Sequence, residues 1–350
     1  MEHIIKYFIN SNKNGVFIFY DSWPTLNNAE KELLRRIEVS CNIANIDFLT
    51  ITNNGIVNLK SHPLYNVNIN EIDKKYIDVV ITLHWESPKS TKHMTLSVLW
   101  HPLEHYHADF SRLEKVAKSD GFLLSGSSII DEYFLTNYNK PFFPPFYTSL
   151  SNPIEPIIIR DNIKCFYIGI NWEKIIKKKS RYVNLLKNLD NENLINIYGP
   201  KVLEGKVVWE GYKNYLQEIP FDGVSVIKYI NEAGLCLVLN SSEHCKSGIV
   251  SMRIFEAICA GVPIIANKND FLDKHFGNKI FYIDTNNEDQ SFIDIKNIIE
   301  YIRANKDEVY KNLEDVRNIF FKKFALHHQL LELKKSIDNY NKNHHSLSSV

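Results

Sequence analysis

The sequence predicts an α/β chain built as two doubly wound, Rossmann-like domains with a cleft between them. Three observations predict it. The chain has 350 residues, more than the roughly 250 to 300 at which a single core stops growing. Apolar runs of strand length alternate with stretches of helical period, and this alternation starts twice. Between the two series lies "YNKPFFPPFYTSLSNPIEP" (138–156), with five prolines in nineteen residues. Proline removes backbone donors and favours extended chain, so this stretch reads as the linker.

The first series opens with "GVFIFY" (15–20) and a helical "NNAEKELLRRIEVSCNIA", in which Ala29, Leu33, Ile37 and Cys41 recur every four residues. Strand-like "IDFLTI" (46–51), "IDVVITL" (77–83), "LSVLW" (96–100) and "GFLLSG" (121–126) follow. Their apolar character on both faces implies a parallel sheet covered by helices. The second series runs "CFYIGI" (165–170), helical "RYVNLLKNLD", "INIYG" (195–199), "VVWEG" (207–211), helical "GVSVIKYINEAG", "LCLVLN" (235–240), a further helix, "VPIIAN" (262–267) and "IFYID" (280–284). The expected domains are 1–150 and 151–305, with 306–337 a basic amphipathic helix packing back on the first domain and 338–350 a frayed tail. Ligands are expected beyond the carboxyl ends of the strands.

Composition excludes several function classes. The 41 Lys and Arg balance 41 Asp and Glu, so bulk charge implies no nucleic-acid partner. The five cysteines, Cys41, Cys165, Cys236, Cys245 and Cys259, show no C-x-x-C spacing, which favours a reducing compartment over a disulfide framework. "MEHIIKYFIN" lacks the features of a signal peptide and no run approaches a membrane span. The protein is expected in the cytoplasm. Contact of the 306–337 helix with the inner face of the membrane and a merely solvated helix face both remain open.

The turn after the first strand, "DSWPTLNN", has no G-x-G-x-x-G, and G-x-x-x-x-G-K-[ST] occurs nowhere, which argues against a dinucleotide or P-loop enzyme. "HPLEH" (101–105) matches the zinc-binding H-x-x-E-H, which needs a central helix. Here Pro102 and the preceding strand-like run make that helix doubtful, and neither a metal nor another cofactor is expected. "LHWESP" and "LWHPLEHYH" instead bring His84, Trp85, Glu86, His101, Glu104 and His105 to two strand ends, where loops carry function. These side chains are candidates for acceptor binding or proton transfer, and solvated loop residues are the alternative.

The densest stretch is "SGIVSMRIFEAICAGVPIIANKNDF" (247–271). Ser251 is a good N-cap, Ile254, Phe255, Ile258 and Cys259 fall at helical spacing, and Gly261 ends the helix. A helix amino end at the carboxyl edge of a parallel sheet is a phosphate site. Arg253, Lys246 and His244 can add charged donors. Glu256 suits a pair of ribose hydroxyls, the alternative being a surface Arg253–Glu256 pair.

"SMRIFEAICAGVPIIANKNDF" resembles the donor-binding segment of GT-B glycosyltransferases, in which a helix glutamate is followed by A-x-G-x-P-[VI]-[IV]. The resemblance covers about 164–284 closely and the two-domain layout more loosely. It implies a nucleotide-sugar donor domain at 151–305 and an acceptor-side domain at 1–150. Common retaining members carry a second glutamate eight residues before the first, and here that position is Gly248. "YIGINWE" (167–173), "IYGP" (197–200), "VWEGY" (208–212), "IPFDG" (219–223) and "SSEHCKSGIVSMRIFEA" (241–257) resemble the bacterial retaining β-Kdo transferases, which use CMP-Kdo to build lipopolysaccharide or capsule.

That resemblance implies donor contacts from Tyr198, Gly199, Ser242, His244, Lys246, Ser251, Arg253 and Glu256. It also implies an aspartate nucleophile, for which "IPFDGVSVI" offers Asp222, although Asp before Gly is equally a turn and helix-cap residue. The acid or base for the acceptor hydroxyl is then one of His84, Glu86, His101 and Glu104. Asp21 and Trp23, with Trp85, are candidates for holding an oligosaccharide or lipid-linked acceptor. Two other readings are a UDP- or GDP-hexose transferase and a non-catalytic module that binds glycans or a partner.

Overall fold

The computed structural model describes residues 2–22, 28–87, 92–170 and 182–347, without the side chains of 2–4, 28 and 344–347. The chain divides into two compact units, Met1–Ser151 with Lys323–Val350, and Asn152–Lys322. Each is a parallel α/β sheet with helices, as the alternation of apolar runs requires.

The first unit carries β1 (Val16–Tyr20), β2 (Asp47–Ile51), β3 (Val79–Thr82), β4 (Thr95–Val98), β5 (Gly121–Leu123) and β6 (Phe142–Phe143) in the order β2-β1-β3-β4-β5-β6, all parallel. The first five strands are buried at every residue. Alternation assigns their side chains to two cores. Phe17 and Phe19 pack with Leu34, Ile37 and Cys41 of a helix at Asn28–Ile43, while Val16, Ile18 and Tyr20 pack with Leu49, Ile51, Ile69 and Ile72. At the amino edge, Asp47 accepts hydrogen bonds from Tyr7 (2.8 Å) and His62 (3.2 Å), which fastens the helix Glu2–Asn10 to the sheet.

The final helix, Leu326–Leu347, completes the first core. Leu326, Leu330, Leu333 and Ile337 recur at helical spacing and are buried in that core, where the helix packs on the Asn28–Ile43 helix and on β6. The basic stretch read as one helix is therefore two, since Lys306–Lys323 is a separate helix whose residues through Lys322 belong to the second unit. Residues 338–347, read as tail, continue the last helix because Tyr340 extends its apolar face onto Phe143 (5.7 Å between rings).

The proline-rich stretch is likewise more than a linker. It contributes β6, and Phe143, Phe146, Tyr147 and Leu150 are buried. Gln329 holds it in place, accepting from Tyr147 N (2.7 Å) and donating to the carbonyls of Tyr147 and Phe324 and to Ser149 Oγ.

The second unit carries β7 (Lys164–Ile168), β8 (Ile195–Tyr198), a small antiparallel hairpin of β9 (Val202–Leu203) and β10 (Lys206–Val207), then β11 (Tyr215–Gln217), β12 (Gly234–Val238), β13 (Ile264–Asn267) and β14 (Phe281–Ile283). Its main sheet is ordered β11-β8-β7-β12-β13-β14, all parallel. The third strand of the sheet is thus β11 and not "VVWEG". The apolar run misleads because Val208 and Trp209 fill the core without joining the sheet. Asp190, at the end of the helix Val183–Asn191, accepts from the backbone N–H groups of Lys213 (2.9 Å) and Asn214 (2.7 Å) and so sets where β11 begins.

Candidate functional site

In the second unit the strand order reverses between β7 and β12, and in open α/β sheets the ligand crevice lies outside the carboxyl ends at that reversal. The chain leaving β12 is fixed there at both backbone groups of Asn240. Its N–H donates to Asn267 Oδ1 (2.9 Å), and its carbonyl accepts from the Tyr182 hydroxyl. A short helix, Ser242–Lys246, follows, capped by Ser241, whose hydroxyl also meets His244 Nδ1 at 2.7 Å. Ser242 is thus a first-turn residue beside the cap. Gly248 has φ +63°, a conformation that strains a side-chain-bearing residue, and Ile249 and Val250 are buried next to it.

The helix Met252–Ala260 then starts at the same sheet edge, because a helix between two parallel strands runs back across them. Ser251 caps it, accepting from Arg253 N (3.3 Å), and Gly261 ends it at φ +70°. Glu256 is not on the surface. It is 5% exposed and ion-paired with Arg253, whose side chain is a quarter exposed. Removing one partner of a buried pair costs about 3–5 kcal/mol, well above the few tenths for an exposed one. Lys246 is exposed.

Across the reversal, Gly199 follows β8 at φ +135°, and a Cβ there would lie 2.2 Å from Gly169 O. Glycine is required for the ends of β7 and β8 to approach this closely. Next to them the Trp209 indole N–H is buried and makes no hydrogen bond. Tyr198 ends β8 at the same edge. Its ring is 3% exposed, stacked on Phe166 (5.0 Å) and beside Tyr229 (5.2 Å), so it serves the core. Burial and the nearby Glu232 charge push its hydroxyl up to about 12.

Asp222 sits between β11 and the helix Ser225–Ala233. Its Oδ1 accepts from the N–H groups of Val224 (3.0 Å) and Ser225 (2.7 Å), and its Oδ2 accepts from Ser225 Oγ (2.6 Å). Slight burial raises its carboxyl, but those bonds outweigh it and hold the group below the ordinary range. It is an exposed, ionised carboxylate in a helix-start turn.

In the first unit the order reverses between β1 and β3. The loops leaving these strands meet where Ser22 and Ser87 hydroxyls lie 2.6 Å apart. Asp21 follows β1. Its Oδ2 accepts from Asn58 Nδ2 (3.0 Å), and its Oδ1 is shielded from solvent with no hydrogen bond. Trp23 lies outside the described residues.

The loops after β3 and β4 bring the other candidates together. Trp85 lies against His84 (4.3 Å between rings) and His101 (4.1 Å), and the two imidazoles are 5.4 Å apart. Arg112 stacks on Trp85 at 4.7 Å and donates to His105 O (2.6 Å). A one-turn helix does form after Pro102, at Leu103–His107, but His101 precedes it, its ring 6.4 Å from that of His105. Among the described residues no group of three or more His, Cys, Asp or Glu is arranged to hold a metal ion.

The hydrogen bonds distinguish the proton-transfer candidates. Glu86 N donates to His84 Nδ1 (3.1 Å), and Trp100 Nε1 donates to His101 Nε2 (3.0 Å). A nitrogen that accepts carries no proton, so each neutral ring presents an N–H on its other nitrogen and acts as a donor. Glu86 is held below the ordinary range, first by its hydrogen bond from Lys115 (2.6 Å). Glu104 is exposed on the one-turn helix.

Comparisons with known proteins agree with this architecture. Residues 178–335 match the family described as "Glycosyl transferase-like". Curated protein sequences gave no match. An α-glucosyltransferase solved with UDP and a 13-mer DNA containing an HMU base aligns with a TM-score of 0.55 at 9% identity, covering 92% of this chain and 100% of that one. WaaG, a glycosyltransferase involved in lipopolysaccharide biosynthesis, aligns with a TM-score of 0.52 at 10% identity over 92% and 98% of the two chains. A glycosyltransferase from Rickettsia africae aligns at 0.50 and 13% identity over 93% and 99%. Other matched structures are longer, and this chain spans 56 to 58% of their length. No helix among the described residues is long and apolar enough to cross a membrane. The chain thus shares the two-sheet α/β fold of these solved glycosyltransferases, and its residues 178–335 match the glycosyl transferase-like family.

Proposed function

We propose that the protein is a glycosyltransferase that moves Kdo from CMP-Kdo to a surface-glycan acceptor with retention. The observation that carries the nucleotide-sugar part is the buried Glu256, one turn into a capped helix at the strand-order reversal of the second unit. Its carboxylate can accept from both ribose hydroxyls while the helix amino end and Ser251 receive the phosphate. A buried ion pair is seldom more stabilising than apolar packing in the same space, so a pair kept at this edge suits a polar ligand.

The choice of CMP-Kdo rests on the motif resemblance and is supported by Gly248. The backbone at that position favours glycine over the glutamate of common hexosyltransferases. Kdo carries a carboxylate beside its anomeric carbon, and Lys246, His244 and Arg253 supply cationic or N–H donors near the same helix start. In the first step an Asp222 oxygen bonds to the anomeric carbon as the bond to the phosphate oxygen breaks and CMP leaves. In the second, the acceptor oxygen bonds to that carbon, the Asp222 ester breaks, and the acceptor proton passes to a base.

A second reading, transfer of a hexose from a UDP-sugar, is favoured by the fold shared with an α-glucosyltransferase solved with UDP. Release of free nucleotide from CMP-Kdo, UDP-glucose and GDP-mannose, assayed with a Kdo-containing glycan acceptor, separates the two. We expect release from CMP-Kdo only, whereas release from UDP-glucose alone moves the function to a hexosyltransferase.

A further inference from the structure

Resting on the reading of the second unit as the nucleotide site, we propose that the Trp209 indole N–H is the donor that binds the base of the nucleotide. Trp209 is 3% exposed and its Nε1 makes no hydrogen bond. Buried donors are nearly always paired, and an unpaired one is costly. An indole nitrogen donates and cannot accept, so only an acceptor atom satisfies it. Core filling accounts for the ring and leaves the N–H without a purpose. The sequence alone marks Trp209 only as part of a strand-like apolar run.

Two glycines fix where this N–H lies. Gly169 follows β7 and Gly199 follows β8, so both stand at the carboxyl edge, beside the strand-order reversal. A Cβ on Gly199 would lie 3.3 Å from Trp209 Nε1 and 2.2 Å from Gly169 O, so the indole nitrogen borders the same edge. Edge-to-face contacts with Tyr167 (5.9 Å between rings) and Tyr212 (5.5 Å) hold the ring there. The backbone of Gly199 is already engaged. Its N–H donates to Gln217 O (3.2 Å) and its carbonyl accepts from the Tyr215 hydroxyl (3.1 Å).

With the ribose at Glu256 and the phosphate at the helix start, the base can extend along the sheet edge in either of two directions. Toward β13 and β14 the polar groups satisfy one another. Asn267 accepts from Asn240 N through Oδ1 and donates to Thr285 Oγ1 (2.8 Å) through Nδ2. Toward β7 and β8 stand two residues without side chains and one unmet donor. A planar ring with acceptor atoms on its edge suits that second place, and every nucleobase carries such acceptors.

The test compares CMP with ribose 5-phosphate, which lacks the base, on the full chain. In Trp209→Phe, which keeps an aromatic ring without the N–H, CMP affinity measured by calorimetry should fall about tenfold while ribose 5-phosphate affinity stays within about twofold. In wild type carrying isotope-labelled tryptophan, the Trp209 indole N–H resonance should move downfield with CMP and stay in place with ribose 5-phosphate. Its loss in Trp209→Phe assigns it, and Phe variants of the other tryptophans do so by elimination if that variant does not fold. CMP affinity unchanged in Trp209→Phe, or an indole resonance indifferent to bound CMP, overturns the proposal and leaves the nucleotide reading standing. An equal loss of affinity for both ligands also overturns it, since the ring then only shapes the site. A wild type that does not bind CMP refutes the CMP reading, and the proposal falls with it.

Discussion

Asp222→Asn should abolish transfer while leaving the fold and nucleotide binding intact. If the carboxylate is the nucleophile, the amide cannot form the ester, and loss of a nucleophile lowers kcat by about 10⁴-fold or more. The competing role is visible in the structure, where Asp222 accepts from Val224 N, Ser225 N and Ser225 Oγ at the start of a helix. Asparagine is an equally good cap residue, so a purely capping role predicts a loss of stability below about 1 kcal/mol and turnover within about threefold. The low pKa of the group fits either role, since the bonds that make it a cap also keep it ionised at neutral pH. Steady-state kinetics with a urea midpoint on the same sample separate the two. Intact-mass detection of a sugar ester on the wild type, absent in the variant, identifies the bond.

Gly199→Ala carries a large structural penalty. The φ of +135° belongs to glycine, and the added methyl would sit 2.2 Å from the backbone oxygen of Gly169. A backbone oxygen cannot swing aside as a side chain can, so the ends of β7 and β8 must part. Strain in a glycine-only conformation costs about 1–3 kcal/mol and overpacking a similar amount. We expect a loss of about 4 kcal/mol, a large share of the 5 to 15 kcal/mol that holds a typical domain. Gly205→Ala is the control, because Gly205 has φ +74° but nothing within 4 Å of the added carbon. It should cost about 1–2 kcal/mol from backbone handedness alone. Equal urea midpoints for the two variants contradict the close approach of β7 and β8.

Much of the fold was legible because buried parallel strands leave a strong signal. β1, β2, β12 and β13 were each located to within a residue or two from apolar character alone, and Ser251 and Gly261 bracketed their helix as cap chemistry requires. What failed to show was structure set by contacts distant in sequence. β11 has a poor strand sequence and depends on Asp190, 23 and 24 residues earlier, which captures the N–H groups of Lys213 and Asn214. Val208 and Trp209 look like a strand because they are core-filling, not because they pair. The proline-rich stretch read as a linker, since no local pattern announces that Gln329 holds its backbone from 182 residues away.

The candidate site divides along the same line. Glu256 could be singled out from its motif, but its burial could not, because burial depends on how the helix packs on the sheet. The approach of His84 to His101 follows from adjacent parallel strands, β3 and β4, and was foreseeable. The tautomers that make both rings donors required the hydrogen bonds from Glu86 N and Trp100 Nε1.

Thermal stabilisation by CMP, UDP and GDP at matched concentrations tests directly whether Glu256 and the helix start beside it receive a nucleotide. A ligand that binds only the folded chain stabilises it by RT ln(1 + [L]/Kd), about 2.7 kcal/mol at a hundredfold excess over Kd. Nucleotide binding at this helix start predicts stabilisation by CMP in the wild type and little or none in Glu256→Gln. Stabilisation that survives unchanged in Glu256→Gln, or none with any of the three nucleotides in the wild type, contradicts it.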